Sequence, residues 1–539
     1  MKGPWKDVAV PRGMSLPDFL FSYMKRHGDA VAFYTDDRTY TFNDTMAIVK
    51  RLSAGLQSVG LVQGDIIGTY VGNRIEFIWL WLAALRLGAV VTTCNPVYTS
   101  EELIMQFNDS KVKYIVVEAA TIAKYNAAKN KLPLVKTVIS MDGLRNTIDL
   151  NSLLINQESD AKNRPRIDPD RVVAFILYSS GTTGLPKGVL LTHQALITNF
   201  FLVNNLKEGP PSFEPTPKDI ILSVFQYFHA GGLIPQIWCF IAGAAQVSNV
   251  QFDVSSLLAA INKWKVTILF LVPPVLVAIA KSPIVDKSKV KSLRAILCGA
   301  APLGKEVAME ASQKLDVHEF VQTFGMTELG FLTHLAPAYP GQLDRIGTCG
   351  FLIPNAEGKI VDVATLKELG TNEKGEIWLK IASFMQGYLN NPKATSETIT
   401  NDGWLRTGDI GYYDEEGYWF IIDRLKELIK VRGFQVAPAE LEAVILLHPS
   451  AAEVIVVGVP DDYSGELPRA YVVLKQNKTA TVTEIEEFVK ERVAYYKQLK
   501  GGVRFVNELP KTGSGKLLRR KLRDEARAEI ESRKMTSKL

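Results

Sequence analysis

The sequence predicts an α/β fold: a large N-terminal domain of parallel α/β subdomains with a small β subdomain, followed by an α+β C-terminal domain. Three observations carry this expectation. Strand-length β-branched runs first alternate with helix-length segments; closely spaced alternating segments rich in Gly and Asp replace them between about residues 344 and 420; after Asp423 helices and strands resume in a unit of roughly a hundred residues.

In the first stretch the runs are Asp65–Val71, Tyr114–Val117, Val172–Tyr178, Thr267–Val272 and Ala295–Cys298. Runs that short and that uniformly apolar fit parallel strands buried on both faces, which need crossover helices between them. The charged, proline-bearing segment AKNRPRIDPDR, residues 161–171, reads as a connector into the strand at Val172. In the second stretch Gly375–Lys380 and Tyr418–Ile422 read as antiparallel strands joined by tight turns. In the third, helices are expected around Ala439–Leu447 and Val482–Lys500, with strands over Glu453–Val459 and Ala470–Leu474. The domains are therefore expected to span residues 1–423 and 424–539.

A chain of 539 residues has room for several domain-sized units, and 47% apolar against 22% charged residues is the balance of a chain that folds compactly. Lys and Arg number 62 against 57 Asp and Glu, and the resulting +5 is too dilute to imply a nucleic acid or a membrane surface. Only the last thirty or so residues are locally basic. Four isolated cysteines, Cys94, Cys239, Cys298 and Cys349, suggest neither a disulfide framework nor a zinc site. The N-terminus lacks the apolar stretch of a signal peptide. The strongest apolar runs, Phe77–Leu85 and Ile268–Ala280, are interrupted by Arg86 and by Pro273-Pro274 and are expected to be core segments.

The sharpest chemical feature is YSSGTTGLPKGV, residues 178–189, directly after an apolar strand and before the helix-like Thr192–Leu202. Such a loop offers backbone N–H groups, hydroxyls and one lysine charge to a polyphosphate. It is not the GxxxxGK[ST] pattern, because no Ser or Thr follows Lys187 to hold magnesium.

With SSGTTGLPKG, five further motifs occur in order: CGAAPL from Cys298, QTFGMTE from Gln322, GWLRTGD from Gly403, DRLKELIKVRGFQVAPAELE from Asp423 and PKTGSGK from Pro510. Together they resemble the adenylate-forming (AMP-binding) acyl-CoA synthetases, nearest to 4-coumarate:CoA ligases and firefly luciferases, over nearly the whole chain. The resemblance implies two half-reactions. A carboxylic acid and ATP give acyl-AMP and pyrophosphate with Mg2+, and the acyl group then passes to the thiol of coenzyme A.

By position in those motifs, the resemblance implies that Ser179, Ser180, Gly181, Thr182, Thr183 and Lys187 handle the β- and γ-phosphates. Glu328 is implied as the magnesium ligand, Thr327 as a contact to the α-phosphate, and Gln322 as part of the nucleotide site. Asp409 and Arg424 match the pair that binds the ribose hydroxyls. Lys516 matches the lysine bridging the attacking carboxylate and the α-phosphate. Lys426 matches the pivot about which a mobile C-terminal domain rotates between the two half-reactions. Gly433 and Phe434 match the pantetheine path, and Lys430 matches a lysine used in the second conformation. His229 matches the acid-pocket histidine.

The sequence departs from the family pattern at Gln226, Thr323 and Gln251. Small Ala230, Gly231 and Gly232, with apolar Leu329, Phe331 and Leu332, lead to the expectation of a dry pocket with room along one wall. The expected substrate is a hydrophobic monocarboxylic acid, either a medium- or long-chain fatty acid or an aryl-alkanoic or hydroxycinnamic acid. A luciferase-like adenylating oxidase and an inactive nucleotide-binding relative are the alternatives. The terminal Ser537-Lys538-Leu539 reads as a peroxisomal address, with the import receptor as the expected partner.

Overall fold

Helix Ile75–Arg86 carries the longest apolar run, and every one of its residues except Glu76 is buried. It is a core helix. Trp81 packs 5.7 Å from Phe175, Phe77 lies 5.9 Å from Tyr227, and the Trp81 indole N–H donates to the Gln236 side chain at 3.1 Å. A polar atom inside an apolar core is thereby satisfied. The computed structural model describes residues 1–155, 160–179, 186–248, 253–300, 303–338, 345–431, 434–461, 463–511 and 517–536.

Among the described residues, two sheets form the large N-terminal part. One is eight-stranded, with Val173–Ser179, Val90–Thr93, Ile66–Tyr70, Tyr114–Val117, Thr137–Ser140 and Ile148–Asp149 running parallel. The other is nine-stranded, its centre formed by the parallel strands Glu319–Met326, Ala295–Cys298, Ile268–Leu271, Ile220–Ser223 and Ala245–Val247. Pro273 does break the second apolar run: the strand Ile268–Leu271 ends and helix Pro273–Lys281 begins with proline in its first turn, where no N–H is needed. No described helix is long and apolar enough to cross a membrane.

The small β subdomain is a five-stranded antiparallel sheet that includes Glu357–Val361, Gly375–Lys380, Leu405–Tyr413 and Trp419–Arg424. A separate C-terminal domain is built on the long antiparallel pair Ala451–Asp461 and Gly465–Leu474, backed by helices Pro438–Leu446 and Arg519–Thr536.

The helix expected over Thr192–Leu202 is present as His193–Val203, but Lys187–Thr192 before it is a strand, antiparallel to Val173–Ser179, that the sequence did not suggest. Thr192 caps that helix by accepting from Ala195 N–H. Residues 180–185, between the two strands, lie outside the described residues. The expected helix Val482–Lys500 stops at Lys490 and is followed by a short 3-10 turn at Tyr495–Lys497. There Tyr496 stacks on Phe434 with ring centroids 4.3 Å apart, and Lys497 pairs with Glu440 at 2.5 Å, so tertiary contacts override helical propensity.

All four cysteines are free and buried, and burial pushes each thiol well above its ordinary range.

Candidate active site

The hairpin places its two ends opposite each other, with Ser179 and Lys187 as cross-strand partners. Tyr178 anchors the first strand by donating its hydroxyl to Asp109 at 2.6 Å. A two-residue edge strand, Gly387–Tyr388, pairs with Val189 and Leu190 of the second. This brings the Tyr388 ring beneath the Lys187 ammonium, 4.8 Å from it, a distance at which the ring face attracts the cation.

Glu328 lies in the 3-10 turn Thr327–Leu329, directly after the strand Glu319–Met326. Gly330 ends that turn at φ +72°, and a Cβ there would stand 2.2 Å from the Ser383 carbonyl, so only glycine fits. The next residue, Phe331, holds φ +108° without glycine's freedom, and its ring packs 5.6 Å from Phe200. Strain of this kind persists only where packing over-determines it. Glu328 is 7% exposed, and its Oε1 accepts from Ser179 Oγ at 2.9 Å and from Tyr388 OH at 3.1 Å. Burial, and then the Glu328 charge, push the Tyr388 phenol upward.

Asp409 and Arg424 are direct partners across the antiparallel strands Leu405–Tyr413 and Trp419–Arg424. The Arg424 Nε lies 2.8 Å from Asp409 Oδ1; the carboxylate is buried and the guanidinium half-buried. The Asp409 charge above all, with Glu328 also contributing, holds Arg424 firmly protonated. Lys426 lies two residues on, in the turn leading to the strand Ile429–Val431. Partial burial and then the Lys187 charge lower its ammonium. Ser179, Lys187, Glu328, Asp409, Arg424 and Lys426, far apart in sequence, thus form one electrostatic cluster, with Thr327 buried beside Glu328. Gln322, on the strand Glu319–Met326, accepts from Gly347 N–H.

The remaining expectations divide. Lys430 is exposed on the C-terminal sheet, its backbone N–H donating to Glu466, and Phe434 is 43% exposed on the stack with Tyr496. His229 caps helix Ala230–Ala242, its Nδ1 accepting from Gly231 N–H at 3.1 Å, which places the proton of a neutral ring on Nε2. Ser180, Gly181, Thr182, Thr183, Gln251, Gly433, Lys516 and Ser537-Lys538-Leu539 lie outside the described residues.

The expected room beside the histidine is corrected. A Cβ on Gly231 would stand 2.8 Å from the Phe225 ring, and one on Gly232 only 2.1 Å from the Gln226 carbonyl, so these glycines admit close packing rather than a cavity. Leu329, Phe331 and Leu332 are likewise buried in core clusters. Thr323 sets its Oγ1 2.5 Å from where a Cβ on Gly299 would be; the hydroxyl fills the space that this glycine leaves.

Tyr388 is the residue that sequence reasoning missed. Its link to Glu328 runs through an edge strand of two residues, too short to leave any periodicity.

The AMP-binding enzyme family matches residues 20–389, and the AMP-binding enzyme C-terminal domain matches residues 440–516. A "4-coumarate-CoA ligase 1" from Narcissus pseudonarcissus is 38% identical over 530 residues, covering 97% of this chain and 96% of the relative. The ATP-bound crystal structure of MatB from Rhodopseudomonas palustris superposes with TM-score 0.84 at 27% identity, over 95% of this chain and 99% of that one. The apo crystal structure of the same protein, at the same identity and coverage, gives 0.74. With both family regions matched in order and a full-length relative at this identity, the chain belongs to the AMP-binding enzyme family.

Proposed function

We propose that this chain is an ATP-dependent, AMP-forming acid–CoA ligase whose substrate is a hydrophobic monocarboxylic acid, with aryl-alkenoic acids such as 4-coumarate foremost. The observation that carries the reading is the cluster itself: the buried carboxylate of Glu328 accepts from Ser179 and Tyr388, the Tyr388 ring lies under Lys187, and the Asp409–Arg424 pair adds a cation that feels the Glu328 charge. The aryl preference is supported by the full-length likeness to 4-coumarate–CoA ligases. It is supported too by the Phe225 ring closing over Gly231 where a long alkyl chain would need room.

A carboxylic acid is ionised at neutral pH, so its attack on ATP needs no general base; the difficulty is bringing an anion to a polyanion. Lys187 and the hydroxyl-rich hairpin tip receive the β- and γ-phosphates. Asp409 accepts from the ribose hydroxyls while Arg424 donates. Glu328 presents one carboxylate oriented by two hydroxyls, a hard oxygen donor that fits Mg2+ held jointly with substrate phosphates. A Mg2+ ion held there by Glu328 would supply positive charge to offset the negative charge of the substrate phosphates. Lys516 stabilises the charge that develops at the α-phosphate. For thioester formation the C-terminal domain pivots at Lys426, bringing the Gly433–Phe434 segment and Lys430 toward the acyl-adenylate. The terminal Ser537-Lys538-Leu539 directs the enzyme to peroxisomes.

The test is acid-dependent ATP–pyrophosphate exchange, with and without coenzyme A, over cinnamate, 4-coumarate, phenylacetate and alkyl acids from C4 to C16. Exchange with the aryl acids, followed by thioester when coenzyme A is added, is the expected result. Exchange with alkyl acids alone would overturn the aryl assignment, and adenylate released without any thioester would overturn the ligase reading.

A further inference from the structure

Helix Pro273–Lys281 ends in a lysine, and a lysine at that position ordinarily serves the carbonyls of its own helix. Here another residue does that work. Lys314, from helix Lys305–Leu315, donates to the carbonyls of Ala280 and, at 3.3 Å, of Ser282. Lys281 is thereby released to reach across to the C-terminal domain, where its ammonium donates to the Ala451 carbonyl at 2.5 Å and to the Ala452 carbonyl at 3.1 Å. Both carbonyls open the strand Ala451–Asp461, and Glu453, the next residue, pairs with Lys511 at 2.7 Å. Lys511 in turn forms a bridge with Leu517, closing the base of the PKTGSGK motif. A short chain of contacts thus runs from the large domain to the foot of the segment that carries Lys516.

We propose that Lys281 is a positioning residue for the adenylation half-reaction, an interdomain catch that fixes the C-terminal domain in the orientation seen here. This rests on the ligase reading above. Three observations support it. The whole chain superposes on the ATP-bound crystal structure of a relative with TM-score 0.84 and on the apo structure of that relative with 0.74. Lys281 is half-buried where it makes these two hydrogen bonds, and burial, with Lys475 close by, lowers its ammonium to about 8. Beside it the two domains enclose a cleft of about 380 Å³, lined by Glu306, Glu310, Lys314, His448 and Lys475, leaving room for the lysine to withdraw when the domain turns. A carbonyl pair is a suitable counterpart for such a catch. It binds an ammonium through two hydrogen bonds, without the full Coulomb attraction of a carboxylate that would resist release in every cycle.

Two variants test it in the full-length enzyme: Lys281→Met, which keeps the apolar stem and removes the ammonium, and Lys281→Arg, which keeps a cation able to reach both carbonyls. Exchange of pyrophosphate into ATP should fall about tenfold in Lys281→Met, while thioester formation from supplied acyl-adenylate changes by less than about twofold; Lys281→Arg should restore most of the exchange. Spin labels on cysteines introduced at exposed Lys291 and Lys478 report the domain orientation directly. Their distance distribution should broaden or shift in Lys281→Met and return in Lys281→Arg. An unchanged distribution in Lys281→Met, or equal losses in both half-reactions, would overturn the proposal. An enzyme inert toward every acid would defeat the ligase reading, while the label distances would still decide the catch.

Discussion

Tyr388 serves the site twice, its ring lying under Lys187 and its hydroxyl bonded to Glu328. Tyr388→Phe separates the two. The cation keeps its ring, while the carboxylate loses one of the two hydroxyls that orient it. A hydrogen bond to a charged acceptor is worth about 1.5–3 kcal/mol, so the Mg2+ concentration giving half-maximal exchange should rise about tenfold or more. A magnesium titration of exchange decides this, and an unchanged midpoint would show that the hydroxyl does not orient Glu328. The contrast with its neighbours shows what a sequence can hold. Glu328, Asp409 and Lys187 were legible because each sits inside a motif whose residue types and order are distinctive. Tyr388 was not, because its role arises from two residues of edge-strand pairing that fold the chain back over a distant hairpin.

Among the elements, Tyr114–Val117, Ala295–Cys298 and Gly375–Lys380 appear with the bounds their patterns suggest, since short apolar or alternating runs between turn residues admit few other readings. Lys187–Thr192 escaped notice because KGVLLT reads equally well as the approach to a helix, and only its pairing with Val173–Ser179 makes it a strand. The space around Gly231 and Gly232 also escaped, since a small residue signals either a void or a close approach, and the sequence cannot say which. The structure makes the two glycines unequal. A Cβ at Gly231 meets the edge of the Phe225 ring, which can swing aside, whereas at Gly232 it meets the backbone carbonyl of Gln226, which cannot. Gly231→Ala should therefore cost within about 1 kcal/mol, and Gly232→Ala about 3 kcal/mol, the upper range for overpacking. Urea unfolding of both variants measures this, and equal losses would place the Gln226 carbonyl elsewhere.

For the molecule as a whole, acid is the condition to which its core is exposed. Burial lowers His193 to about 4 and His334 to about 3, and His193 Nδ1 accepts from Leu16 N–H at 3.1 Å. Both imidazoles are thus held neutral inside the fold while the unfolded chain takes up protons near pH 6.5. The stability they contribute is complete above that pH and is lost as pH falls toward 4 and then 3, by up to about 3 kcal/mol for His193. Asp219, drawn down to about 2 by Arg294 against the effect of its burial, keeps its contribution above the ordinary carboxylate range and loses it as pH falls from there toward 2. The urea midpoint should drop steadily between pH 6.5 and 4, and His193→Asn, which keeps an acceptor for Leu16 N–H, should flatten that slope; an equal slope in both proteins would assign the acid sensitivity elsewhere. At this scale the division into a large α/β part and a separate C-terminal domain was legible from the change in pattern along the chain. The contact of Lys281 with Ala451 and Ala452 was not, because a lone lysine at a helix end has no spacing to betray its partner. The buried cysteines have a bearing on the second half-reaction that reaches beyond folding. An enzyme that admits a thiol co-substrate meets the oxidised, disulfide form of that co-substrate as well, and a surface cysteine would be captured by it as a mixed disulfide. With Cys94, Cys239, Cys298 and Cys349 all enclosed and protonated, the one nucleophilic sulfur near the acyl-adenylate is the one that coenzyme A brings.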